Sequence, residues 1–200
     1  MPKRRVTKKK APPKRKRRRN SKNKGGAFER QLCKQFSLWW SEGKRDDLFW
    51  RTSNSGGRAT FAKRKNRDIK GQYGDMGAID PLGHDLVSLL TFEFKRGYNK
   101  NTIQDLLDKS SPAKQEYEKW IEQAERSYEQ AGSYAWFLVV RRDRRKTIGI
   151  VPRYFWKDSQ LKLKLKTSLT LNMKGGNKVV AFLMEDFFDT VERKHLISLD

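Results

Sequence analysis

Two hundred residues are enough for one domain with a packed core, and they carry a formal net charge of +23. A field of that sign favours polyanionic partners, nucleic acid ahead of an anionic membrane surface. The single cysteine, Cys33, excludes an intrachain disulfide or cysteine-rich zinc module, two histidines argue against a histidine metal site, and no apolar run suggests a membrane helix or signal peptide.

The charge is unevenly spread. Residues 1–24 hold 14 Lys/Arg and no Asp/Glu, whereas residues 25–200 hold 32 basic and 23 acidic side chains. The stretch through Lys14, Arg15, Lys16, Arg17, Arg18 and Arg19 has no apolar pattern to repay ordering, so residues 1–25 are expected to form a disordered arm. Such an arm contacts phosphates without reading sequence, or serves as a nuclear localisation signal in a eukaryotic host. Gly25-Gly26 closes it, and Phe28, Leu32, Phe36, Trp39 and Trp40 then recur at helical spacing, predicting a helix over residues 27–41. Glu29 sits beside that stripe. Leu48 to Thr52 reads as a short strand, followed by Ser53-Asn54-Ser55-Gly56-Gly57, where Ser55 could hydrogen-bond a phosphate and the glycines allow close backbone approach. Arg58, Lys63, Arg64, Lys65, Arg67 and Lys70 follow as a basic loop. With Arg51 before it and Arg96 beyond, it suggests a clamp on a nucleic-acid backbone.

Gly74 to Ile79, the turn Asp80-Pro81-Leu82-Gly83-His84, and Leu86 to Lys95 together predict a β-hairpin. Asp75 and Glu93 are each nine residues from His84, so they face each other with Cβ atoms ~5 Å apart. Two carboxylates that close repel unless a positive charge lies between them. A hard divalent cation answers this, since Mg²⁺ often takes one or two carboxylates plus waters and substrate phosphate. Lys95 projects from the same strand face as Glu93 and could orient or deprotonate a water. Asp80 competes for the role of Asp75, but it precedes Pro81 at the turn and is too far from Glu93.

A short helix is expected near residues 102–107, then a long one starting at Ser111-Pro112, with the stripe Ala113, Tyr117, Trp120, Ile121, Ala124, Tyr128 and Ala131, and Gly132 as its cap. Gln115 and Gln123 are polar positions that spacing leaves unassigned. Residues 134–141 and 147–151 read as strands, making the long helix a crossover on one sheet face. Residues 161–166 alternate as a half-buried strand, a turn at residues 175–177 precedes a strand over residues 179–184, and residues 186–194 suggest a terminal helix.

Taken in order, Glu29, Arg51 with Ser55-Gly56-Gly57, Gly74-Asp75 and Glu93-Phe94-Lys95 resemble the PD-(D/E)XK nuclease superfamily, and within it most of all the archaeal-type Holliday junction resolvases. The resemblance covers about residues 26–152 and implies an α/β fold on the α+β border, a restriction-endonuclease-like core with a mixed central sheet flanked by helices. Residues 153–200 would extend the same domain. It implies Asp75, Glu93 and the Phe94 carbonyl as ligands of Mg²⁺, which Mn²⁺ could replace, with Lys95 as the water-orienting group. Glu29 becomes an auxiliary acid and Ser55 a phosphate contact. The expected activity is hydrolysis of DNA, branched or four-way junctions in particular, by a homodimer with no membrane association. Its place would be the cytoplasm or nucleoid of a bacterial or phage-infected cell, or the nucleus of a eukaryote. A nicking, flap or restriction-like nuclease on the same scaffold is the nearest alternative, and a non-catalytic DNA-packaging protein is an alternative of another class.

Overall fold

Phe28, Leu32, Phe36 and Trp40 are buried on one side of the helix α1 (Ser21–Trp40). In this computed structural model, which describes residues 21–52, 73–109, 112–161, 164–173 and 176–197, α1 starts six residues before the sequence pattern predicts. Gly25 and Gly26 therefore lie inside the helix and do not break it. The buried Gly26 allows a close approach there, since a Cβ on it would come within 3.2 Å of the Arg51 guanidinium.

The strand β1 (Phe49–Arg51) pairs antiparallel with β2 (Met76–Ala78), but β2 is not one arm of a hairpin with the strand that carries Glu93. A 3-10 turn (Pro81–Gly83) and the helix α2 (His84–Leu89) stand between β2 and β3 (Leu90–Arg96). Two features override the expected turn. Asp80 caps the 3-10 turn by accepting from the Leu82 N–H at 3.0 Å, while its other oxygen pairs with Arg45 at 2.6 Å. Leu86, Val87 and Leu89 are then buried together on a helix, a pattern that a strand with alternating faces would split.

The main sheet has five strands in the order β3-β4-β5-β7-β6, with β4 (Ala135–Arg141), β5 (Ile148–Pro152), β6 (Ser168–Asn172) and β7 (Lys178–Leu183). The β3–β4 pair is parallel and the rest are antiparallel. After β3 come a single helical turn, α3 (Asp105–Asp108), and the crossover helix α4 (Glu116–Ala131). α4 begins after Gln115, whose side chain and Glu118 form a reciprocal capping box that replaces the Ser111-Pro112 start. It ends at Gly132, which has the left-handed φ of 65° expected of a cap.

Beyond β5 the chain departs from its alternation. A helix not expected from the sequence, α5 (Arg153–Asp158), follows Pro152, and the described part of residues 161–166 turns helically, with the Leu165 N–H on the Leu161 carbonyl at 3.0 Å. Leu161 and Leu165, four apart, are thereby both buried, which a strand would also permit but which leaves the edge position to β6. The expected terminal helix is divided into α6 (Met184–Thr190) and α7 (Lys194–Ile197) by extended backbone at Val191. The result is a mixed central sheet flanked by helices, the restriction-endonuclease-like arrangement.

Each sheet face has its own core. On one, Phe36 of α1 meets Phe92, Phe94 and Phe137, with ring centroids 4.8, 6.4 and 6.0 Å away. On the other, Tyr117, Trp120, Ile121 and Ala124 of α4 pack with Trp136, Leu138 and Val140 of β4. β3 is an edge strand with both faces covered, and its outer edge meets the segment leading into β2. The approach there depends on Gly74, which has φ of 78° and lies so close to β3 that a Cβ would collide with the Phe92 carbonyl oxygen. Gly74→Ala is expected to lower stability by about 2–3 kcal/mol, read by urea unfolding, and to weaken any activity that depends on Asp75.

Candidate active site

Asp75 reaches the outer edge of β3 through two hydrogen bonds that bracket Glu93. Its N–H donates to the Phe92 carbonyl at 2.6 Å, and its Oδ2 accepts from the Phe94 N–H at 2.7 Å. The N–H and C=O of one strand residue point to the same edge, so the Phe94 carbonyl faces the side where Asp75 lies. Asp75 is held from its other side by the residue after β1, where the Thr52 N–H donates to the Asp75 carbonyl at 3.0 Å and the Thr52 hydroxyl donates to the Gly74 carbonyl. Asp75 is thus brought to the backbone on either side of Glu93, near enough for the two charges to interact, by a route that is not the expected hairpin.

Alternation along β3 sends Phe92 and Phe94 toward α1 and Glu93 and Lys95 toward α4. Glu93 is 1% exposed, yet its carboxylate receives three donors: Lys95 Nζ at 3.2 Å and Gln123 Nε2 at 2.9 Å on Oε2, and Ser127 Oγ at 2.9 Å on Oε1. Gln123 and Ser127 lie four apart on α4, so both come to the same strand position. Gln123 thereby receives the assignment its spacing left open, while Gln115 goes to the helix cap. Ser127 was missed, and its only signal was a second polar residue one turn beyond Gln123.

The half-buried Asp75 responds to this setting. Burial first, and then the charge of Glu93, push its carboxyl up to about 7, against the pull of the Phe94 N–H and Lys95. Cys33 of α1 registers the same concentration of negative charge. Burial, Glu29 and Asp75 together raise its thiol to about 12. Glu29 approaches from α1 but forms an ion pair with Arg51 at 2.8 Å, a contact of charges, since Arg51 Nε has no aligned acceptor. Asp80 is committed to its capping turn and to Arg45, which hold its carboxyl below the usual range. It does not enter the site.

Of the basic residues expected to touch nucleic acid, Arg51 faces Glu29, and Arg96 lies between the Phe28 ring, 5.6 Å from its centroid, and Asp143, 3.4 Å away. Ser55, Arg58, Lys63, Arg64, Lys65, Arg67 and Lys70 lie outside the described residues, as do Lys14 and Arg15 to Arg19. Among the described residues, no three Asp, Glu, His or Cys side chains gather to hold a metal unaided. Two carboxylates and a main-chain carbonyl nevertheless form a hard oxygen set. That set fits Mg²⁺, whose remaining positions waters and a substrate phosphate complete, and the raised Asp75 carboxyl marks a place where positive charge would be stabilising.

Over residues 20–198 the sequence matches the family described as "Phage putative PDDEXK endonuclease". The chain belongs to this family. It is accordingly a nuclease of the PD-(D/E)XK superfamily, and its substrate is nucleic acid. No match emerged among curated proteins or among solved structures. Similarity to the archaeal resolvases rests on the sequence resemblance alone. Among the described residues, no helix of this nuclease is long and apolar enough to cross a membrane.

Proposed function

We propose that this nuclease is a Mg²⁺-dependent endodeoxyribonuclease, with Mn²⁺ able to substitute, whose reaction is centred on Asp75, Glu93 and Lys95. The observation that carries the reading is the hydrogen bonding of Asp75 along the outer edge of β3 on either side of Glu93, whose carboxylate has a lysine 3.2 Å away. Charge neutralisation alone gives no reason to gather acids in a protein of net charge +23.

Asp75, Glu93 and the Phe94 carbonyl would hold the ion. When bound, Mg²⁺ supplies electrostatic stabilisation of the scissile phosphate and a lowered pKa for water. The remaining work belongs to the chain. Gln123 and Ser127 fix the Glu93 carboxylate against rotation, and the Phe94 N–H fixes that of Asp75. Lys95 is tied to Glu93 while 14% of its side chain stays exposed, so it can orient the attacking water or offset charge developing on the phosphate. The Arg51 pair holds Glu29 in reserve at the α1 side, as an auxiliary acid.

The finer reading is structure-specific cleavage of four-way junctions in recombination, repair or phage DNA processing. It would take place in the cytoplasm or nucleoid, by a twofold homodimer that cuts both strands. Its support is the order of Glu29, Gly74-Asp75 and Glu93-Phe94-Lys95. Cleavage of a four-way junction, a flap and a plain duplex in Mg²⁺ tests it. Faster cutting of the junction is expected. Equal rates on duplex and junction would overturn the resolvase reading and keep the nuclease, and cutting of the flap alone would replace it with a flap nuclease.

A further inference from the structure

We propose that the turn joining β4 to β5, residues 142–147, is a DNA-backbone contact surface that holds the duplex flanking the cleavage centre. The proposal rests on the nuclease reading above and extends it to a region outside the catalytic residues. Arg141, Arg142, Arg144, Arg145 and Lys146 crowd this turn, and Asp143 is its one acid. Among the described residues, Arg144 and Arg145 are exposed and their guanidinium groups have no ion-pair or hydrogen-bond partner, whereas Lys146 is paired with Glu185 at 2.7 Å. Two adjacent unpaired guanidinium groups on a short turn suit successive phosphates of a strand.

The turn is pinned in place. The Asp143 carboxylate accepts from Lys24 at 3.4 Å, Arg96 at 3.4 Å and Asn99 at 3.1 Å, and the Asp143 N–H donates to Asn99 Oδ1 at 2.8 Å. The turn's one acid is thus engaged by groups of the chain itself, tying the turn to α1, to the end of β3 and to the loop after it. Arg144 has a φ of 61°, in the left-handed region where glycine is more comfortable. A long cationic side chain kept at such a position points to a use for that side chain.

Its location fits a strand running from the cleavage centre. Glu93 is level with Leu138 and Arg96 with Arg141, so the base of the turn lies three residues beyond Glu93. At strand spacing that is ~10 Å, the rise of about three base pairs. The turn stands as a ridge between two hollows of about 400 and 390 Å³, and Arg144, Arg145 and Lys146 line both. The groove along α4 presents Glu118, Glu122 and Glu125 with the single cation Lys114, so among the described residues it is the less favourable place for phosphates. Residues 1–20, with their basic run, join the chain at Ser21, less than one helical turn before the Lys24 that touches Asp143.

The test uses the full chain without divalent metal, a fluorescent ~25-base-pair duplex and anisotropy across a salt series, since the slope of log affinity against log salt falls by about 0.9 for each phosphate contact removed. Arg144→Gln/Arg145→Gln is expected to weaken binding about tenfold or more at low salt and to reduce the slope by about 2. Arg144→Gly separates binding from folding: it should melt no lower than wild type and still bind more weakly. An unchanged slope and affinity in the double variant would overturn the proposal. Wild-type cleavage of the same duplex, a flap and a four-way junction in Mg²⁺ is measured alongside. Cleavage of any of them with an unchanged slope refutes the surface and keeps the nuclease centre, whereas a reduced slope without wild-type cleavage of any of the three keeps the surface and refutes the centre.

Discussion

Asp75→Asn is expected to abolish Mg²⁺-supported DNA cleavage while making the metal-free protein more stable at alkaline pH. The catalytic half follows from removing a carboxylate from a two-carboxylate set, which costs several kcal/mol of charge stabilisation at the phosphate, or about a thousandfold or more in rate. The stability half follows from the direction of the Asp75 shift. Burial and the neighbouring Glu93 raise its carboxyl from 3.8 to about 7. The folded state therefore binds the proton more tightly than the unfolded chain, and stability falls as pH rises between those two values. A shift of that size would cost at most about 4 kcal/mol at pH 8. Asparagine keeps an oxygen for the Phe94 N–H and removes the charge. Thermal melts in EDTA should show the variant above wild type at pH 8 and level with it near pH 4. Adding Mg²⁺ should raise the wild type and leave the variant where it was.

Lys95→Ala should lower the cleavage rate by about 10²–10⁴ with little change in DNA affinity, the signature of a group that acts on the reaction and not on binding. Lys95 is largely covered, and its ammonium is directed to Glu93 at 3.2 Å, so it contributes little to the outer basic surface. The substitution removes one donor to the Glu93 carboxylate, but those from Gln123 and Ser127 remain. Glu93 therefore stays in place, and the loss belongs to the lysine. Lys95→Arg should not restore the rate, because a planar fork cannot occupy the place of a compact ammonium. Single-turnover rates and anisotropy on the same DNA separate the two quantities.

The central sheet with its crossover helix was legible because its signals are local: a long amphipathic stripe ended by Gly132 between two apolar strands. The approach of Asp75 to Glu93 was legible for a poorer reason. Counting outward from His84 assumed a hairpin, and the chain instead brings Asp75 to β3 from the side, through Gly74 and the short pairing of β1 with β2. Apolar residues at Leu86, Val87, Leu89 and Leu90 fit a strand or a helix equally in so short a run, and Asp80 with Arg45 tipped the choice. Ser127 was not legible, because a serine on a helix has no character of its own until the strand beneath it is known to carry a buried glutamate.

The most direct test of the account is the initial rate at which one labelled DNA is cut in Mg²⁺ by wild type, Asp75→Asn and Lys95→Ala, with EDTA as the zero. Cleavage by wild type that is lost in EDTA, and reduced at least a hundredfold in both variants, is the predicted result. Variants that cut as fast as wild type, or wild-type cutting that persists in EDTA, would contradict it.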